Sequence, residues 1–361
     1  MAITRAFKNA VQHKRRATPL VVNGNMAIAQ RSSTVTGLGD GDEGYVTVDR
    51  FRHTAVASSG RFTSKQTAVA DLDGFAQCLE LDCTTADTSI AATELLQIDY
   101  RMEGHDLQHF AKGETNAEYI TVAFYAKADA AVTYICELLD IDNSRHIAKT
   151  FTTGTDWTHH VISFPGDTTG NFGDDSNESL RATIVLHAGS NFTSGTLATS
   201  WAANDDTNKA VGIGSFYAAT TRSLKITGFQ IEAGLYDEET LPPFQYEAHG
   251  ENIKRCNRYY HSRGDHSSYA PLGSGLFENT TTALVICDLP TAMRVTPSTT
   301  FSGSITTFDG ETFDTATTLS SKSNGTDVVR LTVGSTNGDD QAPATLHIEN
   351  STSAVLFDSE L

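Results

Sequence analysis

The chain has 361 residues, 39% of them hydrophobic and 19% charged, which supplies enough apolar material for two or three packed cores. Its net charge of −18 argues against nucleic acid as the main partner, because phosphate contacts need a basic surface. The longest apolar runs, such as Ala283-Leu284-Val285-Ile286-Cys287, fall far short of the roughly 20 residues of a membrane helix, and no secretion signal is expected from the basic, polar first 20 residues.

Charge is unevenly distributed. Residues 1–39 contain no acid and hold Arg5, Lys8, Lys14, Arg15, Arg16 and Arg31, so the rest of the chain carries an excess of 24 acids. A block of one sign at a terminus often acts as an interaction arm. Arg5, Lys8, Lys14, Arg15 and Arg16 are therefore candidates for docking on an acidic protein surface, with contact to nucleic acid and disorder as the other readings. Ala6–Arg16 suits a short helix ended by the Thr18-Pro19 step.

From Leu20 the chain is rich in Thr, Ser, Val, Ile, Phe and Tyr, with frequent Gly, Asn and Asp, which predicts many short strands joined by turns. Strands are expected at Tyr45–Phe51, Leu95–Met102, Glu118–Lys127, Ala131–Leu139, His146–Thr152 and Trp157–Phe164. Further ones are expected at Thr183–His187, Gly212–Tyr217 and Leu224–Glu232. In Glu118–Lys127, strict alternation puts Ile120, Val122, Phe124 and Ala126 on one face. Pro242-Pro243 marks a boundary. Glu251–His261 then carries Ile253, Cys256, Asn257 and Tyr260 at helical spacing. Beyond it, strands are expected at Thr281–Leu289, Ser298–Gly303, Asp327–Val333, Ala344–Ile348 and Ala354–Phe357. The expected organisation is all-β: a basic arm over 1–19, a jelly-roll β-sandwich over 20–246, a helical connector over 247–264 and a smaller β-domain over 265–361.

Several segments together resemble one family. Pro19–Arg31 contains Asn-Gly-Asn-Met-Ala-Ile-Ala-Gln-Arg, Met102–Lys112 contains Glu-Gly-His-Asp-Leu, and Ile120–Ala128 reads Ile-Thr-Val-Ala-Phe-Tyr-Ala-Lys-Ala. Ile226–Gly234, Pro243–Tyr260 and Leu289–Gly303 follow in order. This ordered set resembles tail-fibre-type structural proteins of tailed phages, whose sandwich strands are shared with carbohydrate-binding-module jelly rolls. The resemblance implies a virion protein of the phage tail or another appendage, made in the host cytoplasm. It implies a homotrimer, with other virion proteins as partners through the arm. The alternatives are a carbohydrate-binding receptor module that contacts a host surface glycan, or a capsid-decorating protein.

Nothing in the residues asks for an enzyme. The glycine-rich Gly37–Gly44 lacks the Gly-Lys-Ser/Thr of a phosphate loop, and no Gly-x-Ser-x-Gly elbow occurs. His159 and His160 are adjacent in a strand and so face opposite sides. No cofactor is expected beyond a structural calcium. Its first candidate ligands are Asp40, Asp42 and Glu43, with Asp140/Asp142, Asp174/Asp175/Glu178 and Asp205/Asp206 as other clusters. Solvated loops are the plainer reading of all four. For glycan binding, where an aromatic ring offers an apolar face with a polar edge, Trp157, Trp201 and Tyr217 are the candidates. Tyr259 and Tyr260 are expected to pack between domains or subunits. The five cysteines are irregularly spaced, which suits free thiols.

Overall fold

The computed structural model describes residues 17–264, 270–335 and 338–361. The arm residues Arg5, Lys8, Lys14, Arg15 and Arg16 lie outside the described residues. Contacts divide the chain into two compact units, one running to His249 and taking in Leu361, the other spanning Gly250–Glu360.

The first unit is a sandwich of two antiparallel sheets. In chain order its strands are β1 (Thr34–Leu38), β2 (Glu43–Gly44), β3 (Phe51–Val56), β4 (Arg61–Ala68), β5 (Gln77–Thr85), β6 (Leu95–Glu103) and β7 (Ile120–Ala128). They continue with β8 (Thr133–Asp140), β9 (Arg145–Thr152), β10 (Thr158–Phe164), β11 (Glu178–Ala188), β12 (Ala202–Ala203) and β13 (Ser223–Ala233). One sheet has the order β1-β4-β5-β13-β7-β10 and the other β12-β9-β8-β11-β6-β3-β2. This is the expected all-β jelly-roll sandwich.

Alternation decides which side chains meet between the sheets. Ile120, Val122, Phe124 and Ala126 of β7 are buried, whereas Tyr125 and Lys127 point to the other face and stay partly exposed. On β10, His160 packs inward against Phe124 and Phe151, with ring centroids 5.5 and 5.0 Å away. Phe124 also stacks on Phe229 at 5.7 Å. The gap lined by Phe51, Leu79, Ile98 and Tyr100 holds about 10 Å³, room for no more than one water, so it offers a ligand nothing.

Two of the segments behind the family resemblance have clear structural work. Asn23 takes a left-handed φ of 61°, and its side-chain amide donates to the carbonyls of Ile28 and Asp49. A Cβ on the neighbouring Gly24 would lie 2.2 Å from the carbonyl oxygen of Phe229, so the Asn-Gly step is required where this segment crosses β13. Gly228, with φ +63°, sits where the β13–β7 register shifts between Thr227 and Gln230.

The helix His249–Cys256 begins at the last residue of the first unit's long stretch and continues into the second unit, where β14 (Tyr260–Gly264) follows. The helix expected to run to His261 stops early because Tyr260 and His261 pair in β14 with the last strand. Tyr259 and Tyr260 are buried, and Tyr260 pairs with Asp358 of the last strand. Next come β15 (Ala270–Asn279), β16 (Thr282–Asp288), β17 (Ser298–Ser302), β18 (Ile305–Phe308), β19 (Phe313–Asn324), β20 (Val328–Ser335), β21 (Pro343–Ile348) and β22 (Ala354–Asp358). Strands β15-β16-β20-β19-β18-β21 close into a barrel, and β14-β22-β17 form a small sheet. Phe277, Val285, Leu331, Leu346 and Phe357 fill the core.

Two strand expectations fail. Tyr45–Phe51 is mostly turn, with the strand beginning at Phe51, and Gly212–Tyr217 is a loop running into a 3-10 turn at Phe216–Ala218. In the latter, Ser215 caps the turn by accepting a hydrogen bond from the Tyr217 amide, which competes with strand pairing.

Candidate functional site

The outer face of β10 is the most site-like surface of the sandwich. Alternation points Trp157, His159, Val161 and Ser163 away from the core. At one end, the Trp157 indole donates to Asp71 Oδ1 at 2.8 Å, and Lys127 Nζ holds the other carboxylate oxygen at 2.5 Å. The His159 ring stacks on Tyr125 at 4.3 Å, with the planes 9° apart. Phe75 packs on Tyr125 at 5.4 Å and on Tyr246 at 5.6 Å, so an aromatic surface extends across the sheet. Burial holds His159 below its ordinary pKa against the opposing charge of Glu238, leaving it neutral at pH 7.

At the other end of β10 lies an open groove of about 730 Å³. Its walls include Tyr119, Val161, Pro165, Leu235 and Tyr236, and Asp237, Glu238 and Glu239 supply carboxylates. Tyr119 is 38% and Leu235 64% exposed, so the groove presents apolar surface to solvent. The groove is rigidly built. The Ser163 hydroxyl donates to the Tyr236 carbonyl at 2.7 Å, and Tyr236 OH donates to the Ala233 carbonyl at 3.0 Å. Lys149 Nζ donates to the Ser163 carbonyl at 2.7 Å. Asp237 folds its own turn by accepting from the Thr240 hydroxyl and from the amides of Thr240 and Glu239, which keeps its carboxyl below the usual range. Glu238 and Glu239 are exposed.

The three aromatic candidates are therefore separated. Trp157 stands at the rim of this face. Trp201 is half-buried behind the groove wall: its indole donates to the Pro165 carbonyl at 2.7 Å, and Lys112 lies 5.8 Å over its ring. Tyr217 offers no platform, since it is fully buried, edge-on to Phe216 at 5.7 Å and to His187 at 5.1 Å. Tyr236 was missed because it lies in the loop after Ser223–Ala233, and Tyr119 because it falls in the expected strand Glu118–Lys127, where alternation alone does not mark a groove.

Nor do Asp40, Asp42 and Glu43 converge. Asp40 accepts from the Ala57 amide, Asp42 from the Gly39 amide, and Glu43 pairs with Arg52 at 2.7 Å. Each carboxylate is spent on a different turn or strand partner, and among the described residues no group of three or more His, Cys, Asp or Glu could hold a metal ion. The five cysteines are buried, and none of them forms a disulfide among the described residues.

No family model matches the chain, and no curated protein matches it. Solved structures similar to this chain include carbohydrate-binding modules and two agarases. One is TmCBM61 in complex with β-1,4-galactotriose, at 7% identity over 60% of this chain and 99% of that one, with a TM-score of 0.32. Another is the family 11 module of the cellulosomal cellulase Lic26A-Cel5E of Clostridium thermocellum, at 11% identity over 57% and 99%, with a TM-score of 0.29. A third is the N-terminal cellulose-binding domain of Cellulomonas fimi β-1,4-glucanase C, at 9% identity over 58% and 100%, with a TM-score of 0.27. Scores this low carry no functional argument.

Proposed function

We propose that the sandwich is a carbohydrate-binding module whose ligand lies along the groove beside β10. One observation carries this reading: an open groove on a rigid sheet edge that pairs exposed apolar surface with carboxylates at its rim. Sugar rings present C–H faces that pack on Tyr119 and Leu235 and hydroxyls that donate to Glu238 and Glu239. The expected result is binding of a neutral polysaccharide, measured by affinity electrophoresis and calorimetry across a panel of soluble glucans and galactans. Tyr119→Ala should weaken it about tenfold, equivalent to about 1.4 kcal/mol. A folded chain that binds nothing in the panel at millimolar ligand would sink the reading.

Setting such a module in a virion appendage, as a homotrimer, rests on the ordered segments that resemble tail-fibre proteins. Light scattering tests that extension. A mass near three times 38.8 kDa supports the trimer, and a monomer removes it.

A further inference from the structure

The seven-stranded sheet carries a constellation that carbohydrate binding does not use. At the end of β11, His187 lies between two oxygens. Its Nε2 is 2.8 Å from Glu94 Oε2, and its Nδ1 is 2.8 Å from Ser215 Oγ. A carboxylate can only accept a hydrogen bond, so Nε2 carries the proton in the neutral ring. Nδ1 is then a bare acceptor, and the Ser215 hydroxyl donates to it. This is the order nucleophile, base, orienting carboxylate.

Burial follows the same order. Ser215 is partly exposed, His187 is fully buried, and Glu94 is 2% exposed. The base and its carboxylate are thus shielded from water, and Ser215 is the most exposed residue of the three. Each member is also fixed. The Ala91 amide donates to Glu94 Oε1 at 2.8 Å. Tyr217 packs edge-on against the imidazole at 5.1 Å. The Gly214 amide donates to the Thr133 carbonyl at 2.7 Å, which anchors the backbone next to the serine. Ser215 Oγ accepts from the Tyr217 amide at 3.1 Å and donates to His187, so one lone pair remains for attack.

From this geometry we propose that Ser215 is an activated nucleophile that accepts acyl groups from small esters. Ser215 Oγ forms a bond to the ester carbonyl carbon as its proton passes to His187 Nδ1. The bond between that carbon and the alcohol oxygen breaks, and the alcohol leaves with the proton from Nδ1. Water then attacks the acyl-serine, giving its proton to His187. The carboxylic acid departs, and the proton returns to Ser215 Oγ. Glu94 stabilises the imidazolium in both halves. This activity is independent of the groove and stands or falls without it.

The test treats the full chain with a small fluorophosphonate and maps the adduct by peptide mass spectrometry. The expected result is one adduct, on Ser215. Ser215→Ala removes it. His187→Gln and Glu94→Gln each slow its formation by about a hundredfold or more, as loss of a general base or its orienting group should. Circular dichroism and melting of each variant confirm that the fold is retained. A purely structural hydrogen-bonded histidine predicts no labelling, so a folded parent chain without an adduct at Ser215 overturns the proposal. Labelling at an unchanged rate in His187→Gln and Glu94→Gln overturns it equally.

Discussion

Lys112→Met is expected to destabilise the sandwich by about 3–5 kcal/mol, measured by chemical denaturation at pH 7. The Lys112 side chain is 2% exposed, and its ammonium lies 2.6 Å from Asp140 Oδ2 and 3.3 Å from Asp167 Oδ2. It also donates to the carbonyls of Thr169 and Gly170 at 2.7 and 3.0 Å. Two buried carboxylates and two carbonyls therefore share one cation, and Met would leave their negative charge uncompensated. Partial relief comes from Arg145, which donates twice to Asp167, and from Asn143, which donates to Asp140. The double variant Lys112→Met/Asp140→Leu should recover part of the loss, because it removes the stranded charge along with its partner. A cost under about 1 kcal/mol for the single variant would show that the ammonium does not organise this loop.

The same cluster sets an acid limit. Burial would raise the Asp167 pKa, but the hydrogen bonds from Arg145 and the charge of Lys112 overcome it and hold the carboxyl below its ordinary value. A depressed carboxylate contributes stability above its unfolded pKa and loses it as pH falls through the folded one. This contribution is therefore present at neutral pH and disappears below about pH 4. The loop it secures begins at Pro165, in the groove wall, and Trp201 holds that residue from behind. Loss of the cluster should reach the groove through that wall.

How legible this was in the sequence depended on what each residue's neighbours had to supply. The two faces of β7 and β10 could be read directly, because period-2 alternation is a local property and Phe124 and His160 fall on its buried side. Strand β4 was missed: Arg-Phe-Thr-Ser-Lys-Gln-Thr-Ala offers one large apolar residue, Phe62, and its pairing with β5 supplies the rest. The loop at 212–217 was misjudged because a serine cap overrode its strand-like composition. Sites were less legible than strands. Tyr119 and Tyr236 join one groove through sheet pairing across more than a hundred residues. Glu94, His187 and Ser215 are 93 and 28 residues apart along the pairs that bring them together. No spacing rule links such positions; only topology does. Tyr217 shows the opposite error, since aromatic identity alone does not say which side of a chain faces water.

Phe124→Ala should cost a further distinct amount, about 3–5 kcal/mol, by removing the ring at the centre of the sandwich. The side chain is fully buried and meets Phe229 stacked at 5.7 Å, Phe151 edge-on at 5.1 Å and His160 at 5.5 Å. Phe229 belongs to β13 beside it, whereas Phe151 comes from β9 of the facing sheet, so the cavity would open at the joint between the sheets. The cost includes the lost transfer energy and the void, because three rings held by two sheets cannot all collapse into it. Phe124→Leu keeps most of the volume and should lose less than half as much. Denaturant midpoints with an unchanged m-value would show that both variants act on the native packing. If Phe124→Ala cost no more than Phe124→Leu, the rings would have to repack freely, and the two sheets would not share the single close-packed core that their alternation implies. The register of β10 on β7 makes that outcome unfavourable, since Phe124 opposes His160 and a slip of β10 by one residue would turn His159 inward and His160 outward.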